Sequence, residues 1–153
     1  MPNVRSSSVG PVVGFAADAP LAQRFAAPLL LPARAMMATI FVVEGFGKIT
    51  GYADVAAYMA QHGVPGALLP MVILTELGGG LMVLVGLGTR SAAFALAGFC
   101  LLTAVIFHLA AGETIAFHKN VAMAGGFLAL VASGPGAWSI DAGLGRRLRR
   151  GAG

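Results

Sequence analysis

Few side chains in this sequence are equipped for chemistry, and most of those stand inside apolar runs or at their ends. Glu76 lies within Met71–Arg90, a stretch apolar enough to cross a membrane, and three glycines, Gly78, Gly79 and Gly80, follow it closely. A carboxylate in hydrocarbon is costly and normally faces a protein interior or a watery cavity. Glu76 and His108 are the two groups able to exchange protons with a ligand or hydrogen-bond its head. Lys48 and Lys119 are suited to stabilise negative charge, and Asn120 to hydrogen-bond. Glu44 precedes Lys48 by one helical turn, which allows an ion pair. Arg34 is offset from Lys48 by only about 40° round the helix, so its head can turn inward and pair with Glu76. Each residue also has a purely structural reading. Glu44 and Lys48 then form an ordinary pair, His108 reaches interfacial water, His118 and Lys119 snorkel, and Tyr52 and Tyr58 anchor the interface.

These residues are embedded in a chain of 153 residues that is 58% hydrophobic and 10% charged. Soluble domains carry roughly 25% charged residues, so the composition is that of an integral membrane protein. The lone Cys100 excludes an internal disulfide and any CxxC dithiol. No phosphate-binding Gly/Lys loop, GxSxG or HExxH motif occurs. A metal site built from Glu76, His108 and His118 draws its ligands from three different spans with no supporting helical spacing, and no metal is expected.

The elements that must position the polar groups are four apolar spans, predicting an all-α membrane four-helix bundle. Residues 1–27 read as a flexible cytoplasmic arm rather than a signal peptide, because their apolar stretch is short and broken by Gly10, Pro11 and Gly14. The expected spans are about 29–46, with Pro28 and Pro32 in the first turn, then 67–87, 91–109 and 115–131. Between the first two, Thr50–Val64 reads as a short amphipathic helix at the interface, closed by Gly63-Val64-Pro65-Gly66. Residues 28–141 form the expected membrane domain, and 142–153 a basic cytoplasmic tail that can touch anionic headgroups.

Four spans put both ends of the chain on one side. Eight basic residues (Arg5, Arg24, Arg34, Arg90, Arg146, Arg147, Arg149 and Arg150) lie on that side and two, Lys48 and Lys119, on the other. The positive-inside rule then predicts an N-in, C-in topology. Glu76 follows Ala67 by nine residues, which places it about 13 Å deep from the outer face. Glu44, Lys48, His108, His118, Lys119 and Asn120 belong to the outer ends of the other spans, so all four spans send polar groups outward. Helix contacts are expected through small residues: Gly78–Gly80, Ala93/Ala97, Ala122/Gly126 and Gly125/Ala129.

An ordered set of short motifs resembles the DoxX family of small four-span bacterial membrane proteins. Its carriers are Arg34, Gly47-Lys48, His62-Gly63-Val64-Pro65-Gly66, the stretch from Glu76 to Gly86-Leu87-Gly88-Thr89-Arg90, Lys119-Asn120 with Gly125-Gly126, and Gly134-Pro135-Gly136-Ala137-Trp138-Ser139-Ile140-Asp141. The resemblance covers about Leu30–Asp141, and Glu44 departs from the small residue expected beside Gly47 and Lys48. It implies a plasma-membrane protein associated with redox or quinone-linked processes; the cofactor is left open, with quinone the candidate. An enzymatic role, if there is one, is then that of a quinone-linked oxidoreductase or a membrane subunit of one. On this reading Glu76 and His108 are the catalytic pair, and Arg34, Glu44, Lys48, Lys119 and Asn120 bind the ligand. The rival reading is a noncatalytic scaffold that recruits a soluble redox enzyme through the arm or the Arg-rich tail. The bilayer is the expected partner, a homo-oligomer is left open, and nucleic acid is not expected because no aromatic platform accompanies the arginines.

Overall fold

The apolar runs of the sequence all become helix. In the computed structural model, which describes residues 19–151, the order is α1 (Ala19–Thr50), α2 (Tyr52–Gln61), α3 (Leu69–Ile73), α4 (Gly79–Val85), α5 (Thr89–Thr103), α6 (Thr114–Ser133) and α7 (Ile140–Gly151). A 3₁₀ turn, Gly66–Leu68, leads into α3, and π-helical turns at Leu74–Gly78 and Ala104–Leu109 continue α3 into α4 and extend α5. Four of the resulting segments are long and apolar enough to cross a membrane: Ala27–Thr50, Gly66–Val85, Thr89–Leu109 and Thr114–Ser133. They are called spans one to four here. Residues 1–18, with Arg5 and most of the expected arm, lie outside the described residues.

The first helix starts earlier than its apolar pattern suggests. It begins at Ala19, so Pro28 and Pro32 sit inside it rather than in its first turn. An interior proline removes a backbone hydrogen bond, a loss that membrane helices tolerate when neighbouring groups make it good. The basic tail is likewise helical, from Ile140 to Gly151.

The core combines small side chains of α5 with larger ones from its neighbours. Ala92, Ala93, Leu96, Ala97 and Cys100 of α5 are buried with Ala124, Phe127 and Leu130 of α6 and Ala38, Phe41 and Val83. Phe41 meets Phe127 edge-on at 5.2 Å. A β-carbon on Gly79 would press on Leu96 at 3.2 Å, and one on Gly80 on Phe41 at 3.1 Å, so these two glycines let spans one and three close on span two. Gly45 does the same on span one, where a β-carbon would lie 2.8 Å from the Leu77 backbone. Gly78 faces its own helix at Leu74 and makes no such approach.

The expectation for span four needs correction. Ala122, Gly125 and Ala129 face outward, and only Gly126 approaches a neighbour, at Met37. The inward face of α6 is instead Asn120, Ala124, Phe127 and Leu130, a stripe on which bulk, and not small size, fills the centre of the bundle.

Candidate functional site

Both groups able to move protons stand on π-helical turns. Glu76 lies in Leu74–Gly78 and His108 in Ala104–Leu109. A π turn adds one residue to the local repeat and rotates the side chains that follow; such turns are rare and concentrate at functional sites. Nothing in the hydrophobic pattern marks them.

The polar ends of the four spans line a half-open cavity of about 470 Å³. Glu44 and Lys48 reach it from span one, Glu76 from span two, His108 from span three, and Lys119 and Asn120 from span four. The remaining wall is apolar and aromatic, including Phe41, Met59, Phe99, Ile106, Phe107 and Met123. Volumes of about 300–1,000 Å³ with mostly apolar walls and a few convergent polar groups are typical of small-molecule sites.

Charge in the cavity is organised round Lys48. Its Nζ lies 2.7 Å from Glu76 Oε2 and 3.8 Å from Glu44 Oε2. Glu76 is 5% exposed and Glu44 faces outward, so the buried carboxylate holds the ammonium and the outer one adds little. The contact joins spans one and two through a fully buried carboxylate oxygen. Lys119 makes no ion pair among the described residues, and Asn120, buried, donates from Nδ2 to Ala116 O at 3.0 Å. His108 donates from Nδ1 to Glu113 Oε2 at 2.7 Å, so its other ring nitrogen is free for a ligand.

Helix α2 forms the rim. Val55, Tyr58 and Met59 line the cavity, and Met59 is buried. Tyr58 stacks on Phe107 with centroids 5.6 Å apart, and His62 packs against both rings. The turn after α2 passes through Gly63 at φ 75° and brings Gly66 against Ala56, where a β-carbon would lie 3.1 Å away. This close return holds α2 over the start of span two.

One expected site residue, Arg34, is placed elsewhere, and His118 keeps to the surface as the snorkelling reading has it. Arg34 is fully buried at the opposite end of the bundle and does not pair with Glu76: its Nη2 donates to Trp138 O at 2.6 Å. The geometry follows from the ladder of span one, since Arg34 and Lys48 lie about 21 Å apart along a helix of this pitch. His118 is exposed and donates from Nδ1 to Thr114 O at 2.8 Å, outside the cavity lining.

Reasoning from sequence missed Tyr58 as a wall residue, Phe107, and Glu113 as the partner of His108. The adjacency of Phe107 to His108 and the fixed offset from His108 to Glu113 across a glycine turn were the available signals. It also missed Asp141 as a structural partner. Asp141 accepts from Gly88 N at 2.8 Å, from Thr89 N at 3.1 Å and from Thr89 Oγ1 at 3.3 Å, capping α5, while its own N–H donates to Gly86 O at 2.9 Å. Partial burial favours the neutral acid, but these hydrogen bonds and the nearby Arg34 charge outweigh it and hold the carboxyl below its ordinary range.

The DoxX family model matches residues 29–109, more than half of the chain. The chain belongs to the DoxX family. It is 51% identical over 115 residues to the inner membrane protein YqjF of Escherichia coli K12, covering 73% of this chain and 88% of that protein. It is 37% identical over 123 residues to the inner membrane protein YphA of the same organism, covering 74% of this chain and 88% of that one. No solved structure matches the chain significantly. With relatives in the inner membrane and four candidate spans, this DoxX protein is a multi-pass plasma-membrane protein. The family match contains Glu44, Lys48, Glu76 and His108 but stops before Lys119, Asn120 and Asp141.

Proposed function

We propose that this DoxX protein binds a quinone-like or similar small, polar-headed amphiphile in the cavity between its spans, as part of a membrane redox process. The observation that carries the reading is the cavity itself: side chains from all four spans converge on about 470 Å³ of mostly apolar space. An N-in, C-in orientation, supported by the distribution of the arginines, makes this the extracytoplasmic half.

The donor set fits such a ligand. Lys119 and the free ring nitrogen of His108 are available to a carbonyl or hydroxyl oxygen, and the apolar wall with the Tyr58 and Phe107 rings suits a flat ring and its tail. A bound quinone would supply the two-electron, two-proton acceptor chemistry that no side chain here provides. The chain's own part is to bind, orient and handle protons. Lys48 neutralises Glu76 and would stabilise negative charge on the ligand head. His108, held by Glu113, presents a fixed ring edge from which a proton can be given or taken. Asn120, fixed by Ala116 O, keeps span four in register at the wall. Electrons would come from a partner, because the chain carries no redox motif of its own.

The test is quinone binding in membranes containing Glu76→Gln or His108→Ala, each compared with unsubstituted protein. Binding is expected to weaken by at least about tenfold in one or both, the worth of a lost hydrogen bond to a charged group. Unchanged binding in both variants would refute the assignment.

A further inference from the structure

Helix α7 has no place in the bundle. Its entry is tied down: Arg34 Nη2 holds Trp138 O, Asp141 caps α5 at Gly88 and Thr89, and the Asp141 N–H holds Gly86 O. Farther along, the exposed Arg146 makes one long hydrogen bond, Nη1 to Ala137 O at 3.4 Å. Beyond that turn the helix projects Ile140, Leu144 and Leu148, which are 44%, 47% and 75% exposed. Their four-residue spacing places them within about 80° of one another round the helix. Arg146, Arg147, Arg149 and Arg150 occupy the remaining circumference and are all exposed. An isolated helix of this length is marginal in water, and a stripe of exposed leucines has no reason to face it.

The anchor fixes the height at which this helix begins. Gly86–Thr89 is the turn between spans two and three, so α7 starts level with the ends of two membrane-crossing helices. Trp138, 57% exposed just before α7, is the residue type that settles at the boundary between headgroups and hydrocarbon. A short amphipathic helix with arginines on its polar side, held at that level, is built to lie in the interface.

We propose that α7 is an anionic-phospholipid-binding helix. Ile140, Leu144 and Leu148 enter the acyl boundary, and Arg146, Arg147, Arg149 and Arg150 engage headgroup phosphates of the leaflet at this end of the bundle. Charge complementarity selects the partner: four arginines lie within five residues, and the single acidic residue of the helix, Asp141, is consumed in capping α5. Near an anionic surface each basic residue contributes about 1 kcal/mol. Four together correspond to a change in the docked-to-free ratio on the order of 100- to 1,000-fold.

The experiment uses the full chain carrying Leu148→Cys with a nitroxide label. The unsubstituted protein serves as the labelling blank, since its one cysteine, Cys100, is buried. The protein is reconstituted into vesicles of phosphatidylcholine alone or of phosphatidylcholine mixed with phosphatidylglycerol. Collision of the label with oxygen and with an aqueous relaxant reads its depth. The label is expected to be shielded from the aqueous relaxant in the anionic vesicles, and to become accessible when the four arginines are replaced by glutamine or when salt is raised. Equal depth in both vesicle types, or depth unaffected by the glutamine substitutions, overturns the proposal. So does a label that stays aqueous in anionic vesicles and is protected only on adding a soluble protein fraction, the outcome a recruiting scaffold predicts. Because α7 lies outside the bundle core, the four-glutamine variant keeps its thermal transition, which verifies that the spans are folded.

Discussion

At one end of the bundle a guanidinium and a carboxylate are each bound to backbone, Arg34 to Trp138 O and Asp141 to the start of α5. At the other end Lys48 and Glu76 are bound to each other, beside about 470 Å³ of space. The difference lies in the kind of partner each charge takes. At the Arg34 end the partners are backbone groups supplied by the fold, so that end is a clamp joining span one to residues 138–141. At the Lys48 end the partners are side chains supplied by separate helices, beside the cavity proposed to hold a ligand. The same residue classes in one small protein therefore tie side chain to backbone at one end and side chain to side chain at the other.

Substitutions at the two ends should separate these roles. The largest effect is expected from Gly86→Ala, because Gly86 has φ 74° and a β-carbon there would overlap the Arg34 guanidinium and Ser139. A loss of more than about 3 kcal/mol is expected from the strained backbone and the displaced buried charge, seen as a lower melting temperature in detergent. Gly125→Ala, whose β-carbon meets nothing within 4 Å inside α6, is the control and should be neutral or slightly stabilising. If both behave alike, the clamp is not what holds this end.

Lys48→Met comes next. It strands Glu76 in an apolar wall and should cost about 2–3 kcal/mol, less than a fully buried pair because Lys48 keeps some solvent access. The double variant with Glu76→Gln should recover most of that stability while ligand binding stays lost. A double-mutant cycle that shows no coupling between the two would break the contrast.

Asp141→Asn should remove about 1–2 kcal/mol by weakening the α5 cap, with ligand binding unchanged. The native carboxyl titrates below its unfolded value, so its contribution is fully present above about pH 4 and is lost as pH falls through the lowered folded value. The asparagine variant should therefore show a flatter fall in stability on acidification, measured by thermal unfolding as a function of pH. The smallest effect is expected from Glu44→Gln. Glu44 is exposed and 3.8 Å from Lys48, and the change should be below about 0.5 kcal/mol.

Much of this was legible in the chain itself. Four long apolar runs, the short link Gly88-Thr89-Arg90 and the placement of polar residues at the span ends are enough to define a four-helix membrane bundle. Ala93 and Ala97 were readable as packing residues because both fall on one α5 face. On α6 small residues occupy two faces, and composition does not say which one turns inward.

What composition and spacing determine is therefore the membrane, the helices and the end of the bundle to which each charge belongs, since these follow from hydropathy and from a rise of about 1.5 Å per residue. Partners were decided only by tertiary structure. Arg34 and Glu76 are each costly enough in hydrocarbon to demand compensation, and a one-dimensional reading pairs them for want of other candidates. The folded chain instead returns residues 138–141 to Arg34 and turns Glu76 toward Lys48 through a π turn that no hydrophobic period announces. The reason is physical: a buried charge takes the nearest group of matching geometry, and which group is nearest depends on how helices distant in sequence come to lie side by side.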